Sequence, residues 1–162
     1  MRRAFVYLWL VALLALLVPA AAADPISFVV RHSEKAEDGG NDPELSNAGV
    51  TWAERLAEVL KDAGISAIYV TEFKRTQETA SPLAKKLGIS VTVVPAKETV
   101  SLVSQLRKGS GNALVVGHGN TIPDIMKGLG IATPIAIGES DYDNLFVVTL
   151  GQEPQLVRLH YR

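Results

Sequence analysis

Short apolar runs rich in β-branched residues alternate with helical patterns along most of this chain. The runs at 26–30, 65–70 and 113–116 have the composition of buried strands. Between them, apolar residues recur at helical spacing, as in the segment behind Ser46, a residue type favoured at helix N-caps. This alternation predicts an α/β three-layer sandwich with a mostly parallel central sheet, and the turn at 151–154 predicts a C-terminal antiparallel hairpin.

The same patterns place the remaining elements. We predict further helices over 73–87, 98–106 and 121–129, and further strands over 89–94, 144–150 and 155–160. The helix behind Ser46 has Val50 at the start of its apolar stripe and is expected to end before Gly64. Pro82 is expected to bend or split the helix that contains it, because proline lacks the backbone N–H that a helix interior uses.

The amino terminus has the three-part pattern of a secretory signal peptide. Residues 1–3 are basic, residues 4–18 form an unbroken apolar run, and residues 21–23 are three alanines suited to cleavage. We therefore expect residues 1–23 to be a signal peptide and residues 24–162 to be an exported domain, periplasmic or secreted. An uncleaved anchor is the alternative, because the apolar run and its alanines are together long enough to span a bilayer.

Composition excludes several classes of function. The net charge is −1 at pH 7, so no basic field favours a nucleic-acid partner. The chain has no cysteine, which excludes a disulfide framework, a thiolate metal site and a cysteine nucleophile. Loss of Arg2 and Arg3 with the signal segment would make the mature chain more acidic, so it must bind an anion through a local positive pocket.

Polar residues follow three of the predicted strands. Arg31 and His32 follow the first, Arg75 comes shortly after the second, and His118 follows the fourth. Ligands of such sheets bind beyond the carboxyl ends of the strands, so these residues should converge. Arginine forks match phosphate oxygens, and a neutral histidine nitrogen can attack phosphorus if its other nitrogen is held as a donor. A protonated His118 and the amino end of the helix near Thr121 would add attraction for an anion.

Four segments of the chain carry distinctive motifs. They are Phe28-Val-Val-Arg-His-Ser-Glu-Lys35, Leu45-Ser-Asn-Ala-Gly49, Thr71-Glu-Phe-Lys-Arg-Thr-Gln-Glu-Thr-Ala80 and Val115-Val-Gly-His-Gly-Asn-Thr-Ile-Pro123. In this order they resemble the motifs of the histidine phosphatase superfamily, which has the phosphoglycerate mutase-like fold, and in particular its small, compact members with an Arg-His-x-Glu-Lys start. The resemblance implies a phosphohistidine intermediate on His32 and phosphoryl binding by Arg31, Arg75 and His118. It also implies that neither a metal nor a nucleotide cofactor is required.

The chain departs from the family pattern at several positions. Ser33 stands where glycine often follows the Arg-His pair, and Thr71-Glu72 stands where Ser-Pro often precedes the second arginine motif. Glu72 is expected either to orient Arg75 or to weaken phosphate binding. The general acid stays open between Glu98, the best match to the family's acid after the third strand, and Glu34, a candidate by proximity. With neither, substrates with good leaving groups would be favoured, because they need little acid catalysis.

The leading hypothesis is an exported, metal-independent phosphatase that hydrolyses a phosphomonoester or phosphoramidate. Only short loops at 34–44 and 95–97 are expected to cap the pocket. An open pocket suits a phosphorylated small molecule or a phosphoprotein, and it argues against a mutase, which must exclude water from its intermediate. A membrane is a partner only if the amino-terminal segment is uncleaved.

Two other hypotheses remain. A non-catalytic phosphate-binding module of the cell envelope is the alternative function, motivated by Ser33, Glu72 and the unassigned acid. A metal site on His32 and His118 is disfavoured, because the histidines lack helical i, i+4 spacing and stand beside arginines that suit an anion. The third histidine, His160, is expected to be structural or exposed, and Tyr142 is expected to belong to a strand-entry turn that could also shape the pocket rim.

Overall fold

The computed structural model describes residues 23–37 and 40–161. The predicted signal peptide therefore lies outside the described residues, apart from Ala23. The elements are β1 (Ile26–Arg31), α1 (Asn47–Leu60), β2 (Ile65–Val70), α2 (Lys74–Leu87), β3 (Val91–Val93), α3 (Thr99–Lys108), β4 (Asn112–Gly117), α4 (Ile122–Gly128), β5 (Asn144–Thr149) and β6 (Gln155–His160). In the described part of the chain, no helix is long and apolar enough to cross a membrane.

A single six-stranded sheet forms the middle layer, with the strand order β3-β2-β4-β1-β5-β6. The first four strands in this order are parallel to one another. β5 runs antiparallel to β1 and pairs with β6 as a hairpin, from Asn144 opposite His160 to Thr149 opposite Gln155. The sequence prediction of a mostly parallel sheet with a C-terminal antiparallel hairpin is confirmed.

Helices cover both faces of the sheet because its central strands are apolar on both sides. Val29 and Val30 are adjacent in β1 and both fully buried, since successive side chains of a strand point to opposite faces. Val29 belongs to a core with residues of α3 and α4 such as Leu102 and Ile125. Val30 belongs to the opposite core, with residues of α1 and α2 such as Leu56. These two cores give the predicted three layers.

Four details differ from the sequence prediction. α2 runs without a break through Pro82, because packing of its buried face against the sheet outweighs the missing hydrogen bond. Val50 lies on the solvent side of α1, with 47% of its surface exposed. β3 shortens to Val91–Val93, because as an edge strand it has only β2 to pair with. α4 is likewise shorter than expected, with seven residues beginning at Ile122.

Candidate active site

The topology brings the strand ends that carry the candidate residues to one place. β1 and β4 are parallel neighbours with Arg31 opposite Gly117, and the backbone N–H of His32 donates to Gly117 O at 2.9 Å. The rings of His32 and His118 therefore lie with centroids 5.4 Å apart. β2 flanks β4 on the other side. Arg75, in the first turn of α2, lies close enough for its positive charge to lower the pKa of both histidines. Four of the sequence-predicted residues, Arg31, His32, Arg75 and His118, thus lie close together at the carboxyl ends of the parallel strands.

His32 is held with one ring nitrogen as a donor. Its Nδ1 lies 2.8 Å from Ser33 O, and because a carbonyl oxygen only accepts, Nδ1 must carry the proton. Nε2 then carries the lone pair. Burial is the main reason that the pKa of His32 falls to about 4, with the positive charges of Arg31 and Arg75 lowering it further. At neutral pH the ring is uncharged, as a nitrogen nucleophile requires.

Arg31 is fixed by the segment that precedes β5. Its Nη1 donates to Gly138 O at 2.9 Å and to Glu139 O at 2.8 Å, and its Cζ lies 4.3 Å from the ring centroid of Tyr142. Its Nε is buried and has no hydrogen-bond partner among the described residues. The guanidinium is thus held by the hydrogen bonds of Nη1 and by the contact of one of its faces with the Tyr142 ring.

Arg75 is anchored in the same way by different residues. Its Cζ lies 4.4 Å from the ring centroid of Phe73, and its Nη1 lies 3.8 Å from Asp42 Oδ1. Its Nε is also buried without a partner among the described residues. Nε and Nη2 form the edge of a guanidinium opposite to Nη1, so Arg31 and Arg75 each keep the edge that binds a phosphate in bidentate fashion.

His118 is buried, with 6% of its surface exposed, and its Nε2 lies 2.9 Å from Thr71 Oγ1. Burial lowers its pKa to about 4, with Arg75 lowering it further and the negative charge of Glu72 acting in the opposite direction. The ring is therefore neutral at neutral pH. The expected imidazolium would need a nearby anion to form.

The first turn of α1 holds the loop that follows His32. Ser46 caps α1 by accepting from Gly49 N at 3.0 Å, and its hydroxyl donates to Glu34 Oε1 at 2.6 Å. Ser46 N also donates to Glu34 O at 2.9 Å. These contacts give the Leu45–Gly49 motif a structural purpose. They also engage the Glu34 carboxylate in the helix cap, which weakens its claim to be the general acid.

The Thr79 hydroxyl links the backbone of Ser33, next to the proposed nucleophile, to the backbone of Arg75. Thr79 Oγ1 accepts from Ser33 N at 2.9 Å and donates to Arg75 O at 2.6 Å. Thr79 is fully buried. The position of His32 is therefore coupled to the start of α2.

The two remaining acidic candidates, Glu98 and Glu72, are both exposed. Glu98 is exposed at the N-cap of α3, and the structure gives it no hydrogen bond or ion pair with a described residue of the site. Its role as general acid stays a prediction. Glu72 does not pair with Arg75, whose carboxylate partner is Asp42; instead its Oε2 accepts from Ala96 N at 2.8 Å and fastens the 95–97 loop.

The amino end of α4 contributes less than expected. The backbone N–H groups of Thr121 and Ile122 both donate to His118 O, at 3.1 and 3.0 Å. Since these donors are occupied within the chain, they position His118 rather than a ligand. His160 is exposed and lies 3.3 Å from Asp143 Oδ2, as expected for a residue outside the site.

Sequence reasoning missed the residues that orient the two arginines. Phe73 and Asp42 fix Arg75, while the carbonyl groups of Gly138 and Glu139 fix Arg31. The sequence predicts Tyr142 only as part of a strand-entry turn that could shape the rim. The one available signal was Phe73, an aromatic residue two positions before Arg75, because backbone carbonyl groups cannot be recognised from a sequence. Among residues 23–37 and 40–161, no three acidic or histidine side chains are grouped to hold a metal ion.

Comparison with known proteins relates this chain to one superfamily. Residues 27–98 match the family model described as the histidine phosphatase superfamily (branch 1), a range that includes Arg31, His32 and Arg75 and ends before His118. The predicted resemblance to that superfamily, with its phosphoglycerate mutase-like fold, is confirmed. Family and fold together support a phosphatase. A search of curated proteins gave no match.

Solved structures share the fold at low sequence identity. The protein histidine phosphatase SixA, in complex with tungstate, is 18% identical with a TM-score of 0.66, over 83% of this chain and 96% of that chain. A mycobacterial glucosyl-3-phosphoglycerate phosphatase is 18% identical with a TM-score of 0.69, over 85% of this chain and 99% of that chain. The chain therefore shares the fold of these phosphatases over most of its length.

Proposed function

We propose that this protein is a metal-independent phosphatase that hydrolyses a phosphomonoester or a phosphoramidate through a phosphohistidine at His32. One observation carries the proposal: a neutral, buried histidine with Nε2 as its unprotonated nitrogen lies beside Arg31 and Arg75, each with an unpaired Nε. The superfamily match and the phosphatases among the structural neighbours support it.

In the first step, His32 Nε2 attacks phosphorus and the bond from phosphorus to the leaving oxygen or nitrogen breaks. The leaving atom takes a proton, for which Glu98 is the proposed donor. Arg31, Arg75 and His118 bind the equatorial oxygens and offset their negative charge in the transition state. In the second step, water attacks the phosphohistidine, its proton returns to the Glu98 carboxylate, and inorganic phosphate and neutral His32 are regenerated.

The substrate is proposed to be a phosphorylated small molecule or a phosphoprotein. One structural neighbour is a protein histidine phosphatase and the other a sugar-phosphoglycerate phosphatase, so this fold accommodates both classes. The loops around the pocket are short, which favours water access and hydrolysis over phosphoryl transfer within one substrate. Phosphate moved between two positions of one substrate without net release would contradict this.

Export follows from the amino-terminal sequence and is also a proposal. Cleavage after Ala23 would release a protein that begins at Asp24, in the periplasm or outside the cell. The test is the mass and terminal sequence of protein recovered from those fractions. Intact chain in the membrane fraction would instead indicate an anchor.

The deciding experiment measures turnover of p-nitrophenyl phosphate and of a phosphohistidine peptide with a chelator present. The wild type is compared with His32→Ala and with His160→Ala, a matched control at an exposed histidine. We expect His32→Ala alone to abolish turnover, and quenched wild type to carry an acid-labile phosphoryl group on His32. Phosphate binding without turnover in the wild type would favour the binding module, and loss of activity with chelator would overturn metal independence.

A further inference from the structure

A chain of buried hydroxyl groups ends on His118. His118 Nε2 lies 2.9 Å from Thr71 Oγ1, which lies 3.0 Å from Thr76 Oγ1. Thr76 Oγ1 in turn lies 2.8 Å from Phe73 O and 3.1 Å from Thr71 O. His118, Thr71 and Thr76 are all buried, so these groups must satisfy one another.

The direction of the hydrogen bonds follows from the carbonyl groups at the far end. Carbonyl oxygens only accept, so the single hydroxyl proton of Thr76 goes to Phe73 O, its shortest contact. Thr76 Oγ1 then accepts, both from Thr71 N at 3.2 Å and from the Thr71 hydroxyl. With its own proton spent, Thr71 Oγ1 can only accept from the histidine. The proton of neutral His118 therefore lies on Nε2.

We propose that Thr71 and Thr76 are positioning residues that keep the proton of neutral His118 on Nε2, so that a dianion without a donor of its own, such as a phosphomonoester or sulfate, brings one proton to Nδ1 when it binds beside the ring. This inference rests on the proposed function only in taking the pocket to bind phosphate.

Nδ1 of the neutral ring has a lone pair and makes no hydrogen bond to a described residue. A phosphomonoester dianion, or sulfate as its stable analogue, offers only acceptors, so it cannot bond to that lone pair until a proton arrives. The charged and titratable groups around the ring are Arg31, Arg75, Glu72 and His32. The two arginines disfavour a proton on His118, whereas a bound dianion favours it. The dianion and the proton therefore bind together.

Proton uptake makes the affinity for such a dianion depend on pH. Sulfate keeps the same charge between pH 6 and 8, and over this range we expect its affinity for the wild type to fall by about tenfold per pH unit, because each binding event consumes one proton. Calorimetry in buffers of different ionisation enthalpy at pH 8 should then report about one proton taken up per sulfate bound.

The tautomer is tested directly by nitrogen NMR of the wild-type protein at pH 7. We expect a protonated, pyrrole-like Nε2 and a pyridine-like Nδ1 for His118. A pyridine-like Nε2 would overturn the proposal. This measurement needs neither turnover nor a variant, so the inference can fail while the phosphatase assay succeeds, and it can hold while that assay fails.

Variants then connect the tautomer to proton uptake. Thr71→Val removes the acceptor for Nε2–H, and we expect the ring proton to move to Nδ1 and proton uptake on sulfate binding to fall toward zero. Thr71→Ser restores the hydroxyl and should restore uptake. Thr51→Val is the control, since Thr51 is exposed on α1 and its hydroxyl contacts only Asn47 O. Unchanged uptake in a folded Thr71→Val protein would overturn the proposal.

Discussion

Gly49 packs so closely against the backbone of Glu34 that a Cβ atom at position 49 would overlap the Glu34 carbonyl oxygen. Glu34 lies two residues after the proposed nucleophile, His32. The loop that follows the proposed nucleophile is therefore packed directly against the first turn of α1. Glycine is required here by close approach of two backbone segments rather than by a positive φ.

Gly49→Ala should destabilise the protein by about 1–3 kcal/mol, the usual cost of overpacking, and should lower turnover because the His32 loop must move. Urea unfolding and the p-nitrophenyl phosphate assay measure the two effects. Gly109→Ala is the matched control, because a Cβ atom there meets its nearest neighbours at 3.5 Å and φ is −67°. A Gly49→Ala protein as stable and active as this control would show that the close packing of position 49 against Glu34 is not required.

Arg75→Lys should weaken phosphate binding by about 10- to 100-fold, because a lysine loses the bidentate edge and a charged hydrogen bond contributes about 1.5–3 kcal/mol. The measurement is competitive inhibition by inorganic phosphate. The control is Arg55→Lys, which makes the same substitution on the exposed side of α1, away from the site. Equal inhibition constants for both variants would contradict bidentate binding by Arg75.

Acid should destabilise the fold through its two buried histidines. The pKa values of His32 and His118 fall from 6.5 to about 4 in the folded protein, so between these pH values the unfolded chain binds more protons. Stability is then lost as pH falls, by about 1.4 kcal/mol per pH unit for each histidine. His118→Gln should halve that slope in urea titrations between pH 6.5 and 4, whereas His160→Gln should leave it unchanged. An unaltered slope in His118→Gln would contradict burial of a neutral ring.

Glu98→Gln tests the proposed proton donor. If Glu98 protonates the leaving group, turnover of an alkyl phosphate should fall by about 100-fold or more, while that of p-nitrophenyl phosphate should hardly change. Glu153→Gln, at an exposed turn between β5 and β6, serves as the control. Equal losses on both substrates would indicate a structural role at the start of α3 instead.

The sequence was most informative where one residue type serves one purpose. Alternating apolar runs predicted the sheet and its helices, and polar residues at strand ends predicted that Arg31, His32, Arg75 and His118 lie close together. It was least informative where contact involves backbone or tertiary packing. Pro82 fits into an unbroken helix, Val50 faces solvent, and the anchors of Arg31 are carbonyl groups of Gly138 and Glu139. The tertiary fold determines the contacts of these residues, so no local sequence pattern predicts them.

The segment at 138–139 holds Arg31 through its backbone, which leaves its side chains free to change. Because the contacts use the carbonyl groups of Gly138 and Glu139, they persist whatever side chain stands at position 139. The Glu139 side chain is exposed and is not needed to hold the arginine. Evolution or a protein engineer can therefore change the side chain at position 139 while Arg31, the proposed phosphate-binding arginine, keeps its place.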